Sequence, residues 1–186
     1  VDVSTANSLP CIIYVLEGEE VALLTKPVIS RVASKYPTSH YILAVGKVRY
    51  MGEPVAAVVA KDRYVAYDAL DLIDVEYEPL PVITTIEDAL KPDAPFIYEE
   101  LGTNELVRDK FDFGDVDKAF SEAGVIVKER FRIHRYSSTP LENYVVNAFY
   151  DRSKDELVIY VPDQQPGRTI PEVGRTLNIP PCLLYT

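Results

Sequence analysis

Histidine and cysteine are scarce in this 186-residue chain, with two of each. His40 and His134 stand too far from other ligand-type residues to make a metal site on their own. Cys11 and Cys182 are too few and too distant in sequence to read as metal ligands or a redox pair. They are expected to be reduced thiols, buried or incidental, as in a cytoplasmic protein. Iron–sulfur ligand spacing is absent, so any such cluster belongs to a partner. No apolar run nears the roughly 18 residues a membrane helix needs, and the longest, Val55 to Ala60, has the length of a strand. The first residues carry neither the basic region nor the apolar stretch of a secretory signal. Positive charge is also in deficit. Nineteen Lys and Arg stand against 29 Asp and Glu, a net charge of -10, which argues against a nucleic-acid partner because phosphates need a basic face. The eight glycines form no phosphate-binding loop and no Gly-x-Ser-x-Gly elbow. Carboxylates are abundant but too scattered to mark a glycosidase pair.

What is present suits a folded core. Apolar residues make up 47% of the chain, and its length predicts one or two domains. Val55 to Ala60 is an unbroken apolar run, the pattern of a strand buried on both faces. Asp62 then stands where a helix N-cap belongs, and Ala66, Ala69, Leu70 and Ile73 follow at helical spacing. Asp74 to Glu78 alternates as a half-exposed strand does, and Pro79-Leu80-Pro81 stops it. Together these predict a βαβ unit with a right-handed crossover. Upstream, Ile12 to Leu16 reads as a short buried strand and Glu17 to Leu24 as one or two helical turns. Lys26 to His40 reads as loop, and Tyr41 to Val48 as a strand with a turn or bulge at Gly46. Ile86 to Leu90 is one helical turn, and Asp115 caps a short helix that Gly124 ends.

Beyond Gly124 the period changes to two. Val125, Val127, Phe131 and Ile133 share one face, and Lys128, Arg130, Arg132 and His134 the other, which predicts a long strand. The cationic row reads as a solvated or interdomain face rather than an anion site. Tyr144 to Tyr150 and Leu157 to Val161 are two further strands. Arg168 to Leu177 is a helix that must hold Pro171 in its first turn.

The wording from Val48 to Ile83 adds a more specific signal. It joins Gly52-Glu53-Pro54-Val55-Ala56, an Ala-rich helix, and Val75-Glu76-Tyr77-Glu78-Pro79-Leu80-Pro81-Val82. This phrase resembles the a/b hammerhead domain in the large subunit of molybdenum hydroxylases, the family of xanthine oxidases, aldehyde oxidases and aerobic carbon monoxide dehydrogenases. The N-terminal stretch resembles the family's Leu-Pro-Gly-Val region, with Cys11-Ile12 in place of Gly-Val. His134-Arg135, Pro140-Leu141-Glu142 and Ala148 match a later family segment. Pro162-Asp163-Gln164-Gln165-Pro166-Gly167 resembles Ser-Thr-Gln-x-Pro-His.

The resemblance implies an α+β fold: a hammerhead domain over residues 1–124 without its opening strand, then the beginning of a molybdopterin-binding domain over 125–186. It implies a piece of a longer subunit that hydroxylates an aldehyde, an N-heterocycle or carbon monoxide with water as oxygen source. The general base and most cofactor loops would lie past Thr186, so this chain alone is expected to be inactive and to bind no molybdopterin. Partners would be flavin and iron–sulfur subunits, with self-pairing as a homodimer also expected. The alternative is a non-catalytic folding or docking module.

Gln164 is the one cofactor-binding residue the resemblance carries over. In the family this glutamine hydrogen-bonds an oxo ligand of molybdenum, and an amide suits that task because its NH₂ donates without adding charge. Gln165 is adjacent and competes for the position. Asp163 would be out of place beside an anionic centre unless it faces away. Glu142 matches a family carboxylate, and its expected task is structural pairing after partial burial.

Overall fold

The computed structural model describes residues 1–29, 38–134, 136 and 139–185. The fold is α+β, built from small sheets with short helices against them. The first sheet pairs β1 (Ile12–Glu17) antiparallel with β4 (Ala56–Ala60), with Val15 opposite Val58 and a bulge between Ile12 and Tyr14. Helix α1 (Ser4–Asn7) and helix α3 (Arg63–Leu70) cover one face. Ala6, Val15 and Ala69 form the buried centre, and Val3, Leu9, Ile12, Val58 and Ile73 pack around it. Asp62 caps α3 as its position predicts, accepting the Tyr64 and Val65 N–H groups at 2.9 and 3.1 Å. Helix α2 (Gly18–Leu24) starts where β1 ends. A Cβ at Gly18 would sit 1.8 Å from the Ala44 carbonyl oxygen, so only glycine admits this backbone approach.

Several expected strands take other forms. β4 is half-exposed rather than buried on both faces, with Val59 40% exposed. Residues 74–78 make no strand beyond one antiparallel bridge, Asp2 to Asp74. On one side of Asp2 the ladder stops because the chain enters α1 at Ser4. The βαβ unit expected over residues 54–77 is therefore absent. Residues 41–48 also turn rather than extend. Ala44 N–H donates to the Pro54 carbonyl at 2.7 Å, but Pro54 has no N–H to return, and Gly46 takes a φ of +69°. The preceding stretch, read as loop, contains β2 (Val28–Ile29) paired antiparallel with β3 (Ser39–His40). Residues 30–37 of that loop lie outside the described residues.

Helix α4 (Ile86–Ala89) is capped by the Thr85 hydroxyl, which accepts the Asp88 N–H at 3.0 Å. Helix α5 (Val116–Glu122) is capped by Asp115, which accepts the Lys118 N–H at 2.9 Å. Residues 125–134 form no strand. Their alternating apolar side chains are exposed, and among the described residues no neighbouring strand offers backbone groups to them. Arg130 instead ion-pairs with Glu87.

The second sheet pairs β5 (Asn147–Asp151) antiparallel with β6 (Glu156–Tyr160), and β6 parallel with β7 (Leu184–Tyr185). β5 starts at Asn147 rather than Tyr144. Continuing its register would set Val145 opposite Pro162, which lacks a donor, and Tyr144 opposite Asp163, where the chain turns into a helix. That helix, α6 (Pro166–Leu177), opens with Pro166 at its first position. Pro171 thus lies inside the helix and not in its first turn, and removes the N–H that the Gly167 carbonyl would accept. Parallel strands joined by a helix do occur in this chain, but as β6–α6–β7. Val158, Ile159, Leu184 and Thr176 are buried between these elements.

Candidate functional site

Gln164 lies in the short turn from β6 to α6. That turn exists because Pro162 ends the ladder and Pro166 opens the helix. Between them Asp163 makes the local bonds. Its Oδ1 accepts the Gln165 N–H at 2.8 Å. The Gln165 carbonyl then accepts the Arg168 and Thr169 N–H groups at 2.8 and 3.2 Å. The Thr169 hydroxyl, and after it the Gln165 and Gln164 N–H groups, hold the Asp163 carboxyl below its ordinary range. Its negative charge is committed to the start of α6, where the helix dipole favours it. The carboxylate stays ionised and still lines the groove beside Gln164.

The two glutamines differ. Gln165 Oε1 accepts a 2.7 Å hydrogen bond from Arg168 Nη1. The exposed Gln164 amide has no hydrogen-bond partner among the described residues. Of the two, Gln164 keeps both its donor and its acceptor available.

Asp163, Gln164 and Gln165 line an open groove of about 1110 Å³. Glu142 and Tyr144 form another side, and Val28 and Ile29 of β2 a third. The structure therefore brings Gln164 and Glu142 to one place, though they are far apart in sequence. Glu142 is exposed, without a partner among the described residues, so the expected pairing after partial burial is not found. The contribution of β2 was not readable from sequence, because two residues carry no period.

The remaining candidates lie outside the groove. A bond from its own backbone, and after it the Arg130 side chain, hold the Glu87 carboxyl below its ordinary range, with the charge of Arg132 adding least. The His134 ring meets Tyr136 edge-on at 6.2 Å. Cys11 and Cys182 are free and both exposed, so of the two forms expected, buried or incidental, they are not buried. Among the described residues no His, Cys, Asp or Glu cluster could hold a metal ion, and no helix is long and apolar enough to cross a membrane.

The groove is acidic. Among the described residues that line it, Arg168 is the one cation, against Asp163, Glu142 and Glu172. A molybdopterin group would fit it at one end only. An uncharged donor such as the Gln164 amide can serve an oxygen on the metal, but an anionic phosphate tail finds no cationic cradle among the described residues.

Comparison with known proteins gives two family matches along the chain. Residues 1–81 match the family profile "Aldehyde oxidase and xanthine dehydrogenase, a/b hammerhead domain". Residues 97–182 match "Molybdopterin cofactor-binding domain". The carbon monoxide dehydrogenase large chain of Afipia carboxidovorans is 34% identical over 181 residues, covering 89% of this chain and 22% of its own length. The 6-hydroxypseudooxynicotine dehydrogenase complex subunit gamma of Paenarthrobacter nicotinovorans is 42% identical over 122 residues, covering 66% of this chain and 15% of its own length. Among solved structures, quinoline 2-oxidoreductase from Pseudomonas putida 86 superposes with a TM-score of 0.87 at 32% identity, over 98% of this chain and 23% of that one. The chain thus spans a quarter or less of the length of these relatives. The hammerhead match, the molybdopterin-domain match and the superposition together establish that the chain belongs to the molybdenum hydroxylase large-subunit family.

Proposed function

We propose that this chain serves as part of the large subunit of a cytoplasmic, molybdenum-dependent hydroxylase that oxidises an aldehyde, an N-heterocycle or carbon monoxide with water as oxygen source. Residues 1–124 act as the hammerhead domain and 125–186 as the beginning of the molybdopterin-binding domain. Flavin and iron–sulfur subunits carry the electrons away, in keeping with relatives whose names call them a large chain and a complex subunit. Bound molybdopterin supplies the oxygen-transfer and redox chemistry.

The observation that carries this reading is the free Gln164 amide in the groove, beside an Asp163 whose charge is tied to α6. Gln164 donates one N–H to an oxygen of the centre, orienting it without altering its charge. Asp163 fixes the turn that presents Gln164. The described residues of the groove offer the cofactor's phosphate no cationic cradle, so that contact is assigned to other residues.

A graft tests the reading. Residues 1–186 replace the matching segment of quinoline 2-oxidoreductase. The hybrid is expected to oxidise quinoline, and Gln164→Ala to cut its turnover by about 10–100-fold, the usual cost of losing a group that orients a metal's ligands. Full activity in Gln164→Ala, with loss in Gln165→Ala, would shift the role to the neighbouring residue. A second reading, a non-catalytic docking module, draws on the exposed apolar side chains of residues 125–150. An inactive hybrid that still assembles with its partner subunits would favour it.

A further inference from the structure

One wall of the groove comes from the first half of the chain. Val28 and Ile29 face the same opening as Glu172 and Val173 of α6. Two contacts tie that strand to the helix. Lys26 N–H donates to the Thr176 carbonyl at 2.8 Å, beside a Thr176 that is only 7% exposed. Arg175 Nη1 donates to the Pro27 carbonyl at 2.8 Å, across 148 residues of sequence. Its other terminal nitrogen, Nη2, donates to Glu172 Oε2 at 2.8 Å. Pro27 has no N–H, so its carbonyl is the handle that peptide offers. The divergent N–H groups of a planar guanidinium can reach the carbonyl and the carboxylate together, which the single ammonium of a lysine does less well. The side chain is two-thirds shielded from solvent, at 31% exposure, which strengthens a charged hydrogen bond.

The geometry points to Arg175 as a positioning residue: it latches β2 of the hammerhead part to α6 and so sets the wall that faces Gln164 across the groove. Its functional consequence rests on the reading of the groove given above; the latch itself rests on the contacts. Arg175 does not itself line the groove; it acts on the wall through the chain leading into β2 and on Glu172 through their direct bond.

Amide hydrogen exchange on the 186-residue chain tests the latch. Arg175→Met is expected to speed exchange at Lys26 by about tenfold or more, the order expected for losing a charged hydrogen bond. Ala57 in β4 and Val158 in β6 should keep their wild-type rates. Glu172→Gln, which leaves the Pro27 contact in place, should keep Lys26 within about twofold, and Arg175→Lys should fall between wild type and methionine. Unchanged Lys26 protection in Arg175→Met would overturn the proposal. So would an equal loss in Glu172→Gln, which would make Arg175 a helix-stabilising residue only. If Arg175→Met loosens Ala57 and Val158 as well, Arg175→Lys decides: selective loosening of Lys26 supports the latch and unchanged protection overturns it. Exchange needs neither cofactor nor turnover, so the latch and the Gln164 assignment can each fail alone.

Discussion

Cys11 shows how a single backbone angle explains a departure in sequence. Its φ is +72°, in the left-handed region that favours glycine. The family's Gly-Val is written Cys11-Ile12 here. The strained residue is held in place as its carbonyl accepts the Lys61 N–H at 2.9 Å, closing the β1–β4 pair. A side chain in this conformation costs about 1–2 kcal/mol, partly offset in glycine by the entropy of a freer unfolded chain. Cys11→Gly should therefore raise unfolding stability by about 1 kcal/mol in a urea titration. An unchanged or lowered midpoint would show that the thiol contributes contacts that outweigh the strain. Resemblance located this residue, but its meaning was conformational and no sequence pattern prints a dihedral angle. Gln164 is the opposite case. Its position was legible from Gln-x-Pro, and the structure added which of two glutamines keeps its amide free.

At the scale of elements, helices were read more faithfully than strands. Asp62, Asp115 and the run into α6 announce helices locally, because a cap and a stripe lie within a few residues of one another. A strand exists only if another strand meets it. Residues 74–78 and 125–134 carry the alternation yet lack a ladder, while β2 has a ladder and no alternation. α6 also started earlier than its periodicity implied, because Pro166 and the Asp163 turn set its first residue. That turn makes a pH-dependent helix end. The Asp163 carboxyl is held below its ordinary value, chiefly by the Thr169 hydroxyl and then by the Gln165 N–H. Its stabilising effect is complete above the unfolded aspartate pKa of about 3.9 and disappears as pH falls through the lower folded value. Exchange at the Arg168 and Thr169 amides should therefore rise in that acid range. Asp163→Asn, which keeps an acceptor but not the charge, should remove this dependence. Equal acid sensitivity in both proteins would place the titrating group elsewhere.

At the scale of the whole molecule, apolar surface is distributed unevenly. The β1–α3 unit buries its small centre, whereas Phe131 and Ile133 are 88% and 85% exposed and Leu141 is fully open. Large apolar side chains left this exposed favour association with another surface. In isolation the 186-residue chain should self-associate through residues 125–186. Sedimentation across a concentration series should show mass rising toward a dimer, and Phe131→Asp should shift that equilibrium toward monomer. A wild-type monomer at high concentration would mean that these side chains find cover within the chain. The most direct measurement concerns the groove. In the quinoline 2-oxidoreductase hybrid, the hydrogen bond proposed for the Gln164 amide would weaken the molybdenum–oxo bond. Resonance Raman of the resting hybrid should show the molybdenum–oxo stretch moving to higher frequency in Gln164→Ala and staying in place in Gln165→Ala. An unmoved stretch in Gln164→Ala would contradict the account.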